Sequence, residues 1–264
     1  MKIIEWQSVE SRSKRLNNPV ALTIGVFDGI HIGHQRLIQN IVSEPGTESV
    51  VVTFRINPQC ILAEKTYKGD IFTIKQKLEQ LEKYGVSTAV LIDFSLKFSK
   101  MSAKTFFESL VAAFMIRKIV VGKYFNFGRQ REGGVNTLTT LADMYGYHLH
   151  RVDPVFYQEE RVSSTRIRYA VAAGHIFQAG KMLGRPFALD LTGVKPEETA
   201  EGQRIYLKNQ FVQVLPAYGS YSGRITGSKG VFETNIEIND NELRLQNPHG
   251  LGHNEIQSIE FADE

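Results

Sequence analysis

The sequence predicts an α/β protein, a doubly wound parallel sheet followed by a small carboxyl-terminal β domain. Over the first two thirds, short apolar runs alternate with segments of helical period, which implies parallel strands joined by right-handed crossovers. Beyond Gly184-Arg185-Pro186 that period disappears, and short alternating pieces separated by turn residues take over. A length of 264 residues with 42% hydrophobic and 22% charged side chains suits one medium domain plus a small one. The boundary is placed so that residues 1–185 form the first domain and 186–264 the second.

The first strand is Val20 to Phe27 (VALTIGVF), apolar enough to be covered on both faces. Leu37, Ile38, Ile41 and Val42 then recur at helical spacing, and Ser49 to Phe54 forms a second strand. Thr73 to Tyr84 is predicted as a helix, with Thr73 as cap, Ile74, Leu78 and Leu81 on one face, and Gly85 at its end. Thr88 to Ile92 is a strand, Ser102 to Phe114 a helix, Lys118 to Gly122 a strand, Asn136 to Tyr145 a helix, and Tyr147 to Val152 a short strand. In the second domain, strands are expected at Arg204 to Leu207, Gln210 to Leu215, Tyr221 to Thr226 and Val231 to Ile238.

Composition narrows the function classes. A net charge of +3 spread along the chain gives no argument for nucleic acid. No apolar run reaches the ~20 residues of a membrane helix, so no membrane partner is expected. One cysteine, Cys60, excludes an internal disulfide framework and fits a reducing cytoplasm. The start, Met1-Lys2-Ile3-Ile4-Glu5-Trp6, places an acid where a secretory signal would continue apolar. A cytoplasmic location is the expectation.

Ligands of doubly wound sheets bind beyond the carboxyl ends of the strands, where the strand order reverses. The first such loop reads Gly25-Val-Phe-Asp-Gly-Ile-His-Ile-Gly-His34. A strand ends at Phe27, Asp28 and Gly29 turn, and a helix opens around Gly33-His34, so its first N–H groups and dipole favour an anion. His31 and His34, three apart, can face the same way, and Gly33 removes a side chain that would hold a phosphate at a distance. An isolated HxxH can also be surface histidine or half of a metal site; no third ligand stands at a telling spacing, and no protein-held metal is expected. A second candidate is Val162-Ser163-Ser164-Thr165-Arg166-Ile167-Arg168, where Ser163 or Ser164 can cap a helix and Arg166 and Arg168 add planar donors for phosphate oxygens. Alone, a Ser-capped helix with two arginines is common.

The pairing of HxGH after the first strand with SSTxIR about 130 residues later resembles the HxGH nucleotidyltransferase superfamily, whose sheet is Rossmann-like. ALTIGVFDGIHIGHQRLI, the TF and Pro58 of TFRINP, KLEQLEKYGV, FNFGRQREG and VSSTRIR stand in the order seen in bacterial FAD synthetases, the bifunctional riboflavin kinase/FMN adenylyltransferases. The resemblance covers most of residues 18 to 186. It implies transfer of AMP from ATP to FMN, giving FAD and pyrophosphate, with Mg²⁺ on the ATP phosphates and no covalent enzyme intermediate. His31 and His34, with Arg168, would be the catalytic residues. Gly25, Phe27, Asp28 and Gly33 would shape the ATP pocket, and Ser163, Ser164, Thr165 and Arg166 would hold ATP from the other side. On the flavin side the resemblance points to Asn57, Pro58, Phe106, Tyr124 and Phe127, with Arg129 near a phosphate. Two of these depart from the family: TFxPHP has become Thr53-Phe54-Arg55-Ile56-Asn57-Pro58, and Tyr124 stands where the family places Asp or Asn. Aromatic residues at such spacing also fit a core.

The lead-in Leu183-Gly-Arg-Pro-Phe-Ala-Leu189 resembles the family's entry into its riboflavin kinase barrel. The kinase signature GxxxGFPTAN is absent, and Val194-Lys-Pro-Glu-Glu-Thr-Ala-Glu-Gly202 stands in its place. The expectation is a reduced kinase-like domain without kinase activity. A flavin- or nucleotide-binding paralogue that has lost turnover is the alternative left open.

Overall fold

A computed structural model describes residues 1–13, 16–199, 202–246 and 255–262. Two packing units emerge, one of Met1–Tyr67 with Lys77–Phe156, the other of Lys68–Gln76 with Tyr157–Glu264. Residues 157–185 therefore pack with the β domain.

The first unit is built on a six-stranded sheet: β1 (Lys2–Glu5), β2 (Leu16–Ile24), β3 (Glu48–Phe54), β4 (Thr88–Ile92), β5 (Phe114–Gly122) and β6 (His148–Val152). Its order is β1-β4-β3-β2-β5-β6, and every pairing is parallel. The order reverses between β2 and β5, so the crevice lies beyond their carboxyl ends. Val20 to Ile24, Ser49 to Thr53 and the whole of β4 are buried. That explains why these strands read as continuous apolar runs. Helices α1 (Trp6–Glu10), α2 (Ile32–Val42), α3 (Pro58–Leu62), α5 (Ala103–Ala113) and α6 (Val135–Tyr145) belong to this unit. Helix α4 (Ile74–Lys83) begins in the second unit and runs on into the first.

Two features here depart from the sequence expectation. Lys2–Glu5 and Trp6–Glu10 form an edge strand and a short helix that no periodicity announced. Helix α5 also runs straight into β5, because Phe114 is already extended (φ −131°, ψ 136°). The strand is thus four residues longer at its start than its apolar stretch suggested.

The second unit holds α7 (Ser164–Ala172), α8 (Ile176–Leu183) and a seven-stranded half-barrel sheet. Its strands are β7 (Ala188–Asp190), β8 (Glu197–Glu198), β9 (Gln203–Leu207), β10 (Gly219–Gly227), β11 (Gly230–Ile238), β12 (Glu242–Gln246) and β13 (Ile256–Phe261). They run in the order β7-β13-β10-β11-β12-β9-β8, all antiparallel. Alternation places Ile225, Ile236, Ile238, Leu243, Leu245, Ile259 and Phe261 inside. Of the segment Val194–Gly202, where the kinase signature would stand, positions 200 and 201 lie outside the described residues.

The strand expected at Gln210 to Leu215 is not formed. Lys208–Gln210 make a 3₁₀ turn, and Gln213 forms only an isolated bridge to Asp70. The cause is Gln213 itself. Its buried side chain donates from Nε2 to the carbonyls of Ile71 (2.8 Å) and Ala188 (3.0 Å) and accepts the Asp190 N–H at 2.7 Å. Asp190 in turn accepts the Thr73 hydroxyl at 2.6 Å. Gln213→Ala would remove all three of these hydrogen bonds from a buried place, where each contributes about 0.5–1.5 kcal/mol net. A loss of about 3 kcal/mol in urea unfolding is expected, and a loss below about 1 kcal/mol would remove this knot from the account of stability.

Candidate active site

The β2–α2 turn is built on conformations that ordinary residues avoid. Gly25 N–H bonds the Val52 carbonyl at 3.0 Å, and the Thr53 hydroxyl donates to the Val26 carbonyl at 2.9 Å, which ties the turn to β3. Phe27 is fully buried yet left-handed (φ 51°), and Gly29 follows at φ 74°. Strain of this kind persists only where surrounding structure over-determines it. Asp28 is buried beneath the turn.

His31 is the N-cap of α2, its Nδ1 accepting the His34 N–H at 3.3 Å. That bond leaves the ring proton on Nε2, so His31 presents a donor on its far side. The His31 and His34 rings stack with centroids 3.6 Å apart and planes at 15°, and the Phe27 ring lies 5.0 Å from His34. A Cβ on Gly33 would stand 3.1 Å from His31 Cε1. The glycine therefore clears space for the imidazole itself, a reason the sequence did not offer.

Burial, then electrostatic interaction with His31 and Lys77, holds His34 well below the usual histidine value. It is neutral at pH 7. Its Nδ1 is closed off from solvent and meets no hydrogen-bond partner among the described residues. Lys77 is itself buried, with Nζ donating to the Phe54 carbonyl at 2.9 Å. Sequence reasoning missed it, although the signal was there. Lys77 lies three residues after Ile74 and four before Leu81, on the buried stripe of α4. Two stacked imidazoles at the positive end of a helix can receive an anion through a donor and a dipole.

The sign of the pH effect follows. Because the folded value lies below the unfolded one of 6.5, the unfolded chain binds more protons in between. His34 thus contributes stability that is complete above the unfolded value and is lost as pH falls toward the folded one. Urea unfolding at about pH 7.5 and about pH 5.5 should show a larger acid loss for the wild type than for His34→Gln. Equal losses would show that His34 does not titrate in this way.

The other predicted residues of the first unit fall around two further loops. Asn57, buried, caps α3 by accepting the Gln59 N–H at 3.1 Å, with Pro58 in the first turn, while its Nδ2 is buried without a partner among the described residues. Arg55 is held by Glu5 (2.7 Å) and Asp93 (2.9 Å). Tyr124 is exposed, whereas Phe106 and Phe127 are buried in an aromatic cluster in which Trp6 stacks on Phe106 with centroids 4.9 Å apart. Arg129 is exposed and 3.5 Å from Glu132. In this loop Gly128 is left-handed (φ 78°) and abuts Ala103.

In the second unit, Ser163 caps α7, its Oγ accepting the Arg166 N–H at 3.2 Å. Ser164 is half-buried and Thr165 exposed. Arg166 donates to the carbonyls of Tyr157 and Glu160, both at 2.8 Å. Arg168 is buried, and its Nε donates to the Gly69 carbonyl at 2.9 Å. Among the described residues no three His, Cys, Asp or Glu side chains gather as a metal-binding group, and no helix is long and apolar enough to cross a membrane.

Comparison with known proteins matches residues 13–166 to the FAD synthetase family model. A bifunctional riboflavin kinase/FMN adenylyltransferase of Buchnera aphidicola subsp. Schizaphis graminum is 30% identical over 181 residues, 67% of this chain. The chain spans only 58% of that relative's length. An FAD synthetase of Listeria monocytogenes is 29% identical over 203 residues, covering 76% of this chain and 79% of the relative. Among solved structures, a Streptococcus pneumoniae chain described as a macrolide-efflux protein superposes with a TM-score of 0.81 at 20% identity. It covers 99% of this chain and 90% of its own. That likeness shows the fold alone.

Proposed function

Because the chain belongs to the FAD synthetase family, we propose that it makes FAD by transferring AMP from ATP to FMN. An FMN phosphate oxygen would form the new bond to the α-phosphorus of ATP, and the bond from that phosphorus to the β-phosphate oxygen would break. Pyrophosphate leaves with the Mg²⁺ that entered on the ATP phosphates, so the metal is part of the substrate. Such a reaction asks the protein for positioning and charge stabilisation more than for covalent work. The observation that carries this reading is the stacked His31/His34 pair on the start of α2.

His31 would donate from Nε2 to the phosphates as charge shifts between them. The neutral His34, with a buried nitrogen still lacking a partner, would do so without adding a charge that the site must desolvate. Gly25, Phe27, Asp28 and Gly33 shape the turn that receives ATP. Ser163, Ser164, Thr165, Arg166 and Arg168 are proposed as further nucleotide ligands, Arg166 and Arg168 with the guanidinium groups that now hold carbonyls in place. Residues 1–185 are proposed as the adenylyltransferase domain and residues 186–264 as a reduced kinase-like domain. The setting is the cytoplasm, where ATP and flavin are at hand. The curated relatives are enzymes by name, which does not favour the non-catalytic reading.

The direct test supplies FMN and Mg-ATP and follows FAD and pyrophosphate. Both should form, whereas riboflavin with ATP should yield no FMN; FAD absent under these conditions sinks the first half, and FMN from riboflavin the second. On the acceptor side, Asn57 has an unused buried donor that a flavin phosphate or carbonyl can accept. Asn57→His, the residue usual in the family, is expected to change FMN affinity by about 0.5–1.5 kcal/mol while leaving ATP binding alone. Tyr124→Asn should weaken FMN if the exposed ring stacks on the flavin, and Phe106 and Phe127 are proposed as further aromatic contacts of that ring system. FMN titrations unchanged in both variants would place the acceptor elsewhere.

A further inference from the structure

The half-barrel contains a charge that its surroundings do not satisfy. Arg204 on β9 is fully buried, and among the described residues Nε, Nη1 and Nη2 meet no well-formed hydrogen bond, with only the Tyr206 hydroxyl and the Glu198 carboxylate beside the guanidinium. Its cross-strand neighbours are Leu245 on one side and Glu198 on the other, and Ile236 lies beyond Leu245 in the same row. Leu245 and Ile236 are fully buried, so the guanidinium shares its face with apolar side chains. A guanidinium cannot shed its proton to relieve this burial. Glu198 Oε1 lies 3.3 Å from Nη2, and that carboxylate is more than half exposed. Tyr206, two residues along and on the same face, is also buried, and burial keeps its phenol protonated well into the alkaline range.

We propose that the interior face of the half-barrel at Arg204 is a binding site for a phosphate group, with Glu198 as the carboxylate that occupies it in the empty protein. A buried charge with five donors and one loosely placed, solvent-facing carboxylate is poorly paired. Phosphate offers oxygens in the geometry that the guanidinium fork matches in pairs. Tyr206 adds a neutral hydroxyl. Glu198 sits at the solvent edge of the row, so turning it outward opens the guanidinium to an incoming anion. The proposal does not depend on the adenylyl-transfer reading.

Calorimetry on the full chain with inorganic phosphate tests this. The wild type should bind phosphate in a component that persists in His31→Ala/His34→Ala and vanishes in Arg204→Met. Should Arg204→Met fail to fold, Arg204→Lys decides, because an ammonium keeps the charge without the fork and should bind about tenfold more weakly. Glu198→Gln removes the competing carboxylate and should tighten phosphate several-fold. AMP tested beside inorganic phosphate identifies the source: tighter AMP means a nucleotide, equal affinities free phosphate. The proposal fails if the wild type binds no phosphate outside the histidine site. It fails equally if Arg204→Lys binds as the wild type does, or if Glu198→Gln leaves affinity unchanged.

Discussion

Alanine at His31 or at His34 is expected to lower kcat for FAD formation on the order of 10²-fold or more, the range typical of a lost transition-state donor. The KM for ATP should move much less, because these donors matter most where charge shifts between phosphates. The two positions differ in one respect. His31 also caps α2, so His31→Ala carries a stability loss of about 1 kcal/mol besides the lost donor. His31→Asn restores a capping side chain without an imidazole. It should recover the melting temperature and leave kcat low. Steady-state rates with FMN and Mg-ATP, read beside thermal melts, separate the two effects. Near wild-type kcat in a folded variant would remove that histidine from the chemistry.

Gly128→Ala should be among the most destabilising single-methyl changes in the first unit. The position is left-handed, and a Cβ there would stand 2.6 Å from the backbone nitrogen of Ala103. Neither side can yield easily. Arg129 N–H bonds the Met101 carbonyl at 2.8 Å, and Glu132 accepts the Ala103 N–H at 2.8 Å, so loop and helix start are joined on both sides of the contact. Backbone strain of about 1–3 kcal/mol adds to overpacking of about 1–3 kcal/mol. The urea midpoint should fall accordingly. Gly122→Ala is the control, since nothing lies within 4 Å of its Cβ position and its backbone is ordinary strand. Equal midpoints for the two variants would refute the packing argument.

What could be read in the sequence depended on how local its cause is. Strands β2, β3 and β4 were legible because burial on both faces leaves apolar runs, and α4 because Ile74, Leu78 and Leu81 repeat with the helix. The histidine pair was legible because HxGH follows a strand directly. The stacking of its rings was not, since that depends on His31 capping its own helix. Edge strand β1 is too short to show a period, with Lys2 and Glu5 at its ends. Gln210 to Leu215 alternates like a strand, but the Gln213 side chain finds its backbone partners more than twenty residues earlier in the chain. Arg166 and Arg168 were read as donors for phosphate; no local pattern tells where a guanidinium on a long side chain will settle, and both settle on carbonyls.

The stretch Lys68–Gln76 has a consequence for how the chain is made. It interrupts the first unit in sequence, yet Ile71 accepts a hydrogen bond from Gln213, 142 residues later. At about 5–20 residues per second, the ribosome needs roughly 7–28 s to deliver that partner. During that time α4 has emerged with its amino-terminal end untethered, while β1 to β6 can already assemble. The nascent protein must therefore hold Ile71 and Phe72, apolar and later buried, out of wrong associations until Gln213 has been made. Slowing translation between the two segments should lengthen that exposure, and trigger-type chaperones would be expected to dwell there.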